Sequence, residues 1–485
     1  SFSVHDSALI PDPSLWTLTR TGRADEPRAP RLHRDSASYI RTKPTPCCGP
    51  LCRPGGATKI EGRPFRMKPR ILLVSTSRWF ATARLAMAFG ALDCDVEAVC
   101  PHDHPVSRTG AVSAIHRFRP LRPVQSIARA IERSRPDLLI PCDDLATICL
   151  HRLHDRAARA GTSAGDATCA LLVRSLGSAS AFDVVAARSS LMTLAQRHGV
   201  RVPLTSVIAT VADLNPWLRE QGVPTVLKAD ATCGGRGVRI AETPAEAAAA
   251  WQALNAPPSA ARAIKRFVVN RDGNYILPCV QRTYGVVNTQ RFIRGQDANV
   301  TVACWQGKVL ASVSAAVLRT TEPHGPASVV ELIANSEMTT AVEKIVSALG
   351  LSGLVGFDFI IEDHSGFAYL IELNPRATQM GHLPLDNGRD LPRALLEALT
   401  GTAKRDRPAA TTKHVIALFP QEWLRDSDSA FLTSGFHDVP WSEASLLRTA
   451  TEETITHRLW TAMMARPNAP RPSTPHKKAR FEQLL

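Results

Sequence analysis

Four residues near the end of the chain could do chemistry together. In the stretch LVGFDFIIEDHSGFAYLIELNPRATQMGH, Asp358, Glu372, Asn374 and Arg376 stand among apolar neighbours. The segment reads as two alternating strands joined by a turn over 363–366. Asp358 points away from Phe357 and Phe359, and period two puts Leu370, Glu372 and Asn374 on one face. Antiparallel pairing then sets Asp358 beside Glu372 and Asn374. Two carboxylates held together repel unless a cation lies between them, and hard oxygen donors favour Mg²⁺ or Mn²⁺. Arg376, just beyond, carries the planar fork that grips phosphoryl oxygens. The competing reading is a solvated hairpin face with Asn374 as a helix cap.

A second group lies upstream, in LKADATCGGRGVRI over residues 227–240. An apolar run ends near Lys228, and Gly234, Gly235 and Gly237 come before another apolar run. Glycine tolerates positive φ and lets backbone N–H groups approach a phosphate closely. The G-x-x-x-x-G-K-[ST] spacing is absent, and the second element continues as a strand, so neither a Walker loop nor a dinucleotide fingerprint is present. Two readings stand: a plain hairpin turn, and a lid over phosphates with Lys228 as its point charge.

These residues need elements to hold them. From residue 70 the chain alternates buried strand-like runs (71–74, 96–100 and the run PDLLIPCDD) with helical segments (81–92, 124–134, 145–153), the pattern of a parallel sheet covered by helices. Beyond Gly177 the texture becomes α+β, with hairpin strands at 225–228 and 237–240 and at 300–305 and 309–313, and a long helix over 338–349. Residues 1–69 are rich in Arg, Pro, Ser and Thr without periodicity and read as disordered; the change at Met67 suggests a start site there, with a targeting extension as the competitor. Residues 466–485 read as a polar, basic tail.

Composition is that of a globular chain: 485 residues, 44% hydrophobic and 21% charged, too long for one core. The net charge of +14 is concentrated at the ends. Residues 1–69 hold 12 Lys and Arg against 6 Asp and Glu, and residues 466–485 hold 5 against 1. These tails lack interleaved aromatics, so no specific nucleic-acid partner is expected. No apolar run of about 18 residues suggests a membrane span. Cys47, Cys48 and Cys52 cluster without a second ligand pair, which favours reduced thiols over a zinc site and, with the absent signal peptide, a cytoplasmic protein.

Lys228, the loop GGRGV and the hairpin ending IELNPRATQ together resemble the ATP-grasp superfamily, in the texture of its carboxylate–amine ligases and its carbamoyl-phosphate synthetase and biotin carboxylase branch. The resemblance covers roughly residues 70–402. It implies a pre-ATP-grasp α/β domain over 70–176 and a two-lobed ATP-grasp domain over 177–402. The lid lobe would take about 200–287 and the metal-binding lobe about 288–402, with a small C-terminal subdomain over 403–465. It implies adenine at the hinge in VVNTQRFIRGQDANV, with Gln290 where the family has glutamate and Arg291, Phe292 and Ile293 beside it. Arg188 takes the place of a phosphate-contacting lysine. Asp358, Glu372 and Asn374 match the metal ligands, and Arg376 and Lys228 the phosphate-side cations.

The implied activity is an ATP- and Mg²⁺-dependent ligase that makes an acyl-phosphate from a carboxylate and passes it to an amine, its partners being small molecules. An oligomer is compatible with all of this. The alternative is a nucleotide sensor of the same fold. Arg319 and Arg389 are the cations expected to meet a substrate carboxylate, while His324 and His382 read equally well as site residues or as loop residues.

Overall fold

The computed structural model describes residues 68–230, 237–257, 259–260, 279, 286–323, 325–386 and 388–450. The expected disordered leader, save its last two residues, the basic tail, the three clustered cysteines, Gly234, Gly235 and His324 lie outside the described residues.

The described residues open with β1 (Arg70–Val74), β2 (Asp95–Cys100), β3 (Ala114–Arg117) and β4 (Leu138–Pro141), a parallel sheet in the order β3-β2-β1-β4. Ile71 to Val74 and Leu138 to Ile140 are wholly buried, as continuous apolar strands must be when helices cover both faces. β3 carries the mixed sequence AIHR with every second residue exposed, which is why the apolar-run criterion overlooks it. Helices α1 (Phe80–Gly90), α2 (Pro123–Ser134), α3 (Asp144–Ala160) and α4 (Ser163–Leu176) pack around this sheet. Asp143 caps α3 by accepting from the Ala146 N–H, and its carboxylate also takes the N–H groups of Thr76 and Ser77 at 2.6 and 3.1 Å. The loop after β1 is thereby tied to the end of β4.

Short helices α5 (Phe182–Ala186) and α6 (Arg188–Arg197) lead into a second, antiparallel sheet. It contains β5 (Thr205–Ile208), β6 (Thr225–Ala229), β7 (Val238–Ala241) and β8 (Val287–Arg291) in the order β5-β8-β6-β7. Helices α7 (Leu214–Gln221) and α8 (Pro244–Asn255) back it, around a small core of Ile208, Leu227, Ala247 and Val287. Arg291 ends this sheet, and the chain passes within three residues into β9 of the next.

The largest sheet has seven strands: β9 (Gly295–Trp305), β10 (Lys308–Thr320), β11 (Ala327–Leu332), β12 (Gly353–Glu362), β13 (Ala368–Asn374), β14 (Val415–Ala417) and β15 (Phe436–His437), in the order β13-β12-β9-β10-β11-β14-β15. One face, with Val300, Phe357, Phe359 and Leu370, packs on α6 and the helix Ser336–Leu349. The other shares a core with the first sheet, where Ile71, Leu73 and Phe89 meet Leu354, Met380, Leu395 and Ile416. Residues beyond Gly401 supply β14 and β15 and so extend this sheet. Seven cysteines among the described residues carry free thiols, and burial pushes Cys100, Cys142, Cys149 and Cys304 up to about 12. No helix among the described residues is long and apolar enough to cross a membrane.

Gly177 marks the join between the βα region and the two antiparallel sheets. It closes α4 at φ +101, bridges Leu351, and leaves no room for a side chain. A Cβ there would overlap the Gly350 carbonyl oxygen and come within 2.7 Å of the Leu351 Cα. Both neighbours are backbone and cannot swing aside. Gly177→Ala should therefore cost at least about 2 kcal/mol of stability, combining left-handed strain with a backbone clash. A urea melt of the variant that overlays the parent's would contradict this packing.

Candidate active site

The register of β12 on β13 sets Asp358 directly opposite Glu372 and Gly356 opposite Asn374. One part of the period-two reading is corrected. A register shift between Asp358 and Phe359 leaves Ile371 as an extra residue, so Leu370 pairs with Phe359 and turns into the core. Glu372 and Asn374 keep the opposite face, with Asp358. The bulge lets a strand with a buried leucine present a carboxylate two residues later on the other side.

β9 widens the polar row. Asn299 lies opposite Asp358 on its other flank, and the Asn299 Oδ1 is enclosed with no hydrogen-bond partner. Asn374 donates from Nδ2 to Asp358 Oδ2 at 2.8 Å. Among the described residues no three His, Cys, Asp or Glu converge on a point, so the candidate metal site is two carboxylates with amide oxygens beside them. Those donors fit a hard divalent cation, and the enclosed Asn299 oxygen is an acceptor still to be satisfied.

Basic groups arrive from three directions. Lys228 on β6 is 5% exposed and sits opposite Asn288 of β8. Burial lowers its pKa to about 8; Arg188 pushes the same way, while Glu372 and Asp358 hold it up. Arg188, the first residue of α6, joins the two antiparallel sheets. Its Nη1 donates to Asp230 Oδ1 at 3.0 Å and its Nη2 to Glu372 Oε1 at 2.6 Å. Arg376 donates from Nη2 to Asn374 Oδ1 at 3.1 Å and from Nε to Asp144 Oδ1 at 2.9 Å.

The two carboxylates of the pair respond in opposite senses. Burial and the Glu372 charge push Asp358 up to about 6. Burial also works against ionised Glu372, but Arg188 and Lys228 outweigh it and hold that carboxyl below its usual value. The pair therefore stays ionised at neutral pH under strain concentrated on Asp358.

Six expected residues thus come together: Arg188, Lys228, Asp358, Glu372, Asn374 and Arg376. Gly237 lies at the mouth of the β6–β7 hairpin, where its carbonyl accepts from the Ala229 N–H at 2.9 Å. Gln290 is buried in β8 with its amide donating to Thr205 Oγ1 at 3.1 Å, while Arg291 is exposed and Ile293 buried in the connection to β9. Phe292 is half-buried there. Arg319 places its guanidinium over the Phe431 ring, and Arg389 donates to the Asp386 carbonyl. Neither is among the charges that shift Asp358, Glu372 or Lys228. His382 lies in the turn that follows β13, buried there and hydrogen-bonded to Asp438, which Arg84 also engages.

Four residues escape the sequence reading: Asp144, Asp230, Asn288 and Asn299. A signal existed for two of them, since asparagine is depleted in strand interiors and Asn288 and Asn299 both sit there. Asp230 comes after Lys228 by one period of the strand. Asp144 gives no such cue, because nothing in its spacing couples it to Arg376.

The raised Asp358 value has a consequence for pH. A carboxyl that titrates near 3.8 unfolded and about 6 folded loses stability as pH rises through that interval, and the loss is complete above it. Asp358→Asn, measured without divalent cations, should melt a few degrees above the parent at pH 7.5 and level with it at pH 4. Equal offsets at both pH values would remove the carboxylate repulsion from the account.

Comparison with known proteins bears on the fold. Residues 190–380 match the family model described as an ATP-grasp domain. The biotin carboxylase domain of 2-oxoglutarate carboxylase from Hydrogenobacter thermophilus superposes with a TM-score of 0.50 at 15% identity, covering 70% of this chain and 71% of that one. The Staphylococcus aureus N5-carboxyaminoimidazole synthetase gives 0.47 at 12% identity over 70% and 80%. The Bacillus licheniformis L-amino acid ligase gives 0.48 at 14% over 69% and 75%. No curated protein sequence matches the chain. With the paired carboxylates on β12 and β13 facing Lys228 across the two antiparallel sheets, residues 190–380 are an ATP-grasp domain.

Proposed function

We propose that this chain is an ATP- and Mg²⁺-dependent ligase that activates a substrate carboxylate as an acyl-phosphate and joins it to an amine. One observation carries the reading. Asp358, Glu372 and Asn374 on the large sheet face Lys228 on the small one, with Arg188 bonded to both sides. Such a constellation suits a triphosphate tail better than a solvated hairpin. The fold neighbour from Hydrogenobacter thermophilus, described as a complex with MgADP and bicarbonate, is consistent with it.

When bound, Mg²⁺ would neutralise the β- and γ-phosphates and polarise the phosphorus under attack. Asp358, Glu372 and Asn374 would hold it. Lys228 would meet a phosphate oxygen: burial depresses its pKa, but at about 8 it remains mostly charged at pH 7. Arg376 would take the oxygens of the phosphoryl group in transfer. The connection from Gln290 to Ile293 would carry the adenine between backbone groups and an apolar wall. The substrate carboxylate is itself the nucleophile, so no Ser–His or Cys–His pair is required. The acyl-phosphate hydrolyses readily, so this reading requires the site to keep water away from it. In this scheme residues 200–287 form the lid lobe, 288–402 the metal-binding lobe, and 70–176 the domain that precedes the grasp.

The decisive experiment is a screen for ADP release from MgATP against amino acids and small carboxylates. Glu372→Gln keeps size and hydrogen bonding while removing one charge, and should cut ADP formation about a hundredfold or more in a protein that still folds. Parental turnover with unchanged magnesium dependence would sink the metal assignment. Lys228→Ala should weaken ATP binding roughly tenfold to a hundredfold and leave adenosine binding unaltered. Calorimetric titration of both ligands separates that outcome from a folding defect, which would weaken the two alike.

A further inference from the structure

The first domain reaches into this site through one segment, the end of β4 and the first turn of α3. Three contacts join it to the turn after β13. The Ala377 N–H donates to the Pro141 carbonyl at 2.9 Å, Thr147 Oγ1 donates to the Pro375 carbonyl at 2.9 Å, and Arg376 Nε donates to Asp144 Oδ1 at 2.9 Å. Two of these grip backbone and fix where the turn lies. The third acts on the guanidinium itself and fixes its plane.

Asp144 is not required to finish its own helix. The N-cap role belongs to Asp143, whose carboxylate takes the Ala146 N–H and is otherwise spent on the loop at residues 75–77. Asp144 stands one residue later, its side chain 23% exposed, with its carboxylate on a guanidinium that is 15% exposed. From Asp144 a hydrogen-bonded chain runs through Arg376 to Asn374 Oδ1, and from Asn374 Nδ2 to Asp358 Oδ2. Arg376 is thus held at its Nε by Asp144 of the first domain and at its Nη2 by Asn374, with Nη1 on the Ala377 carbonyl at 3.5 Å. An arginine anchored at one end only would trade among rotamers; one anchored at both presents a fixed edge to a ligand.

We infer that Asp144 is a positioning residue for the phosphoryl site: it orients the Arg376 guanidinium toward the γ-phosphate position, so that the domain before the grasp completes the reaction centre. The inference rests on the ligase reading above, in which Arg376 meets the transferring group. It adds a residue from outside residues 190–380, and predicts that the site senses how the first domain is seated against the turn at residues 375–377.

Inorganic phosphate binding to the MgADP complex tests this without a known carboxylate, because phosphate then stands where the γ-phosphate would. By calorimetry, Asp144→Asn should weaken phosphate binding about tenfold while MgADP affinity stays within about twofold of the parent. Asp144→Glu restores the charge and should recover most of the loss. The double variant Asp144→Asn, Arg376→Met should bind phosphate no worse than Arg376→Met alone, since both changes act through one guanidinium. Melting temperatures of all four proteins verify that they are folded. Parental phosphate affinity in Asp144→Asn, or additive losses in the double variant, would overturn the inference while leaving the ligase reading intact. A parent that binds no MgADP would overturn both.

Discussion

Everything in the site derives from two carboxylates fixed opposite each other on neighbouring strands. Asp358 and Glu372 cannot move apart, because the register that pairs them also seats Phe357, Phe359, Leu370 and Leu373 in the core behind. Their repulsion therefore persists whenever both are ionised, and the surroundings are arranged to compensate it. Arg188 and Lys228 stabilise ionised Glu372, Asn374 donates to Asp358, and Arg376 sits against both. The two arginines have carboxylate partners of their own, Asp230 for Arg188 and Asp144 for Arg376, and Asn288 in turn donates to Asp230. The polar network is thus a succession of obligations that begins at one pair of strands.

Electrostatics also explains how two separate sheets are held in one geometry. Few apolar side chains serve that purpose in the small sheet, whose core is the least extensive of the four among the described residues. Arg188 spans the gap instead, with one amino group on Asp230 and the other on Glu372. A charged link of this kind is directional and easily re-partnered. On the ligase reading it suits a junction that would accept a polyanion between its halves, where an apolar weld would have to be torn open.

Much of this is legible from residue order, because the relevant signals are local. Strand alternation sets Asp358 against its aromatic neighbours, the turn at residues 363–366 dictates antiparallel pairing, and Lys228 is the last residue but one of a buried strand. The side-chain direction of Leu370 is not legible: a single bulged residue reverses facing, and nothing in AYLIELN announces it. Partners distant in sequence are equally hidden. Asp144 and Arg376 meet only because β4 and the turn after β13 share a hydrogen-bonded seam. The partner of His382 is hidden in the same way, since Asp438 arrives from a segment with no periodic cue.

The core shared between the first sheet and the seven-stranded sheet bears on how such a chain can be taken apart. In sequence there is a clear border at Gly177, yet Ile71 and Phe89 on one side of it touch the same apolar mass as Leu354, Leu395 and Ile416 on the other. Cutting at the border would expose oily surface on both fragments, so neither is a self-sufficient module. The same holds for grafting. A βα region borrowed from another protein would have to match this surface methyl for methyl as well as bring a carboxylate to position 144. Replacement of one part therefore demands change in the other, and the two are expected to vary together as a single inherited unit.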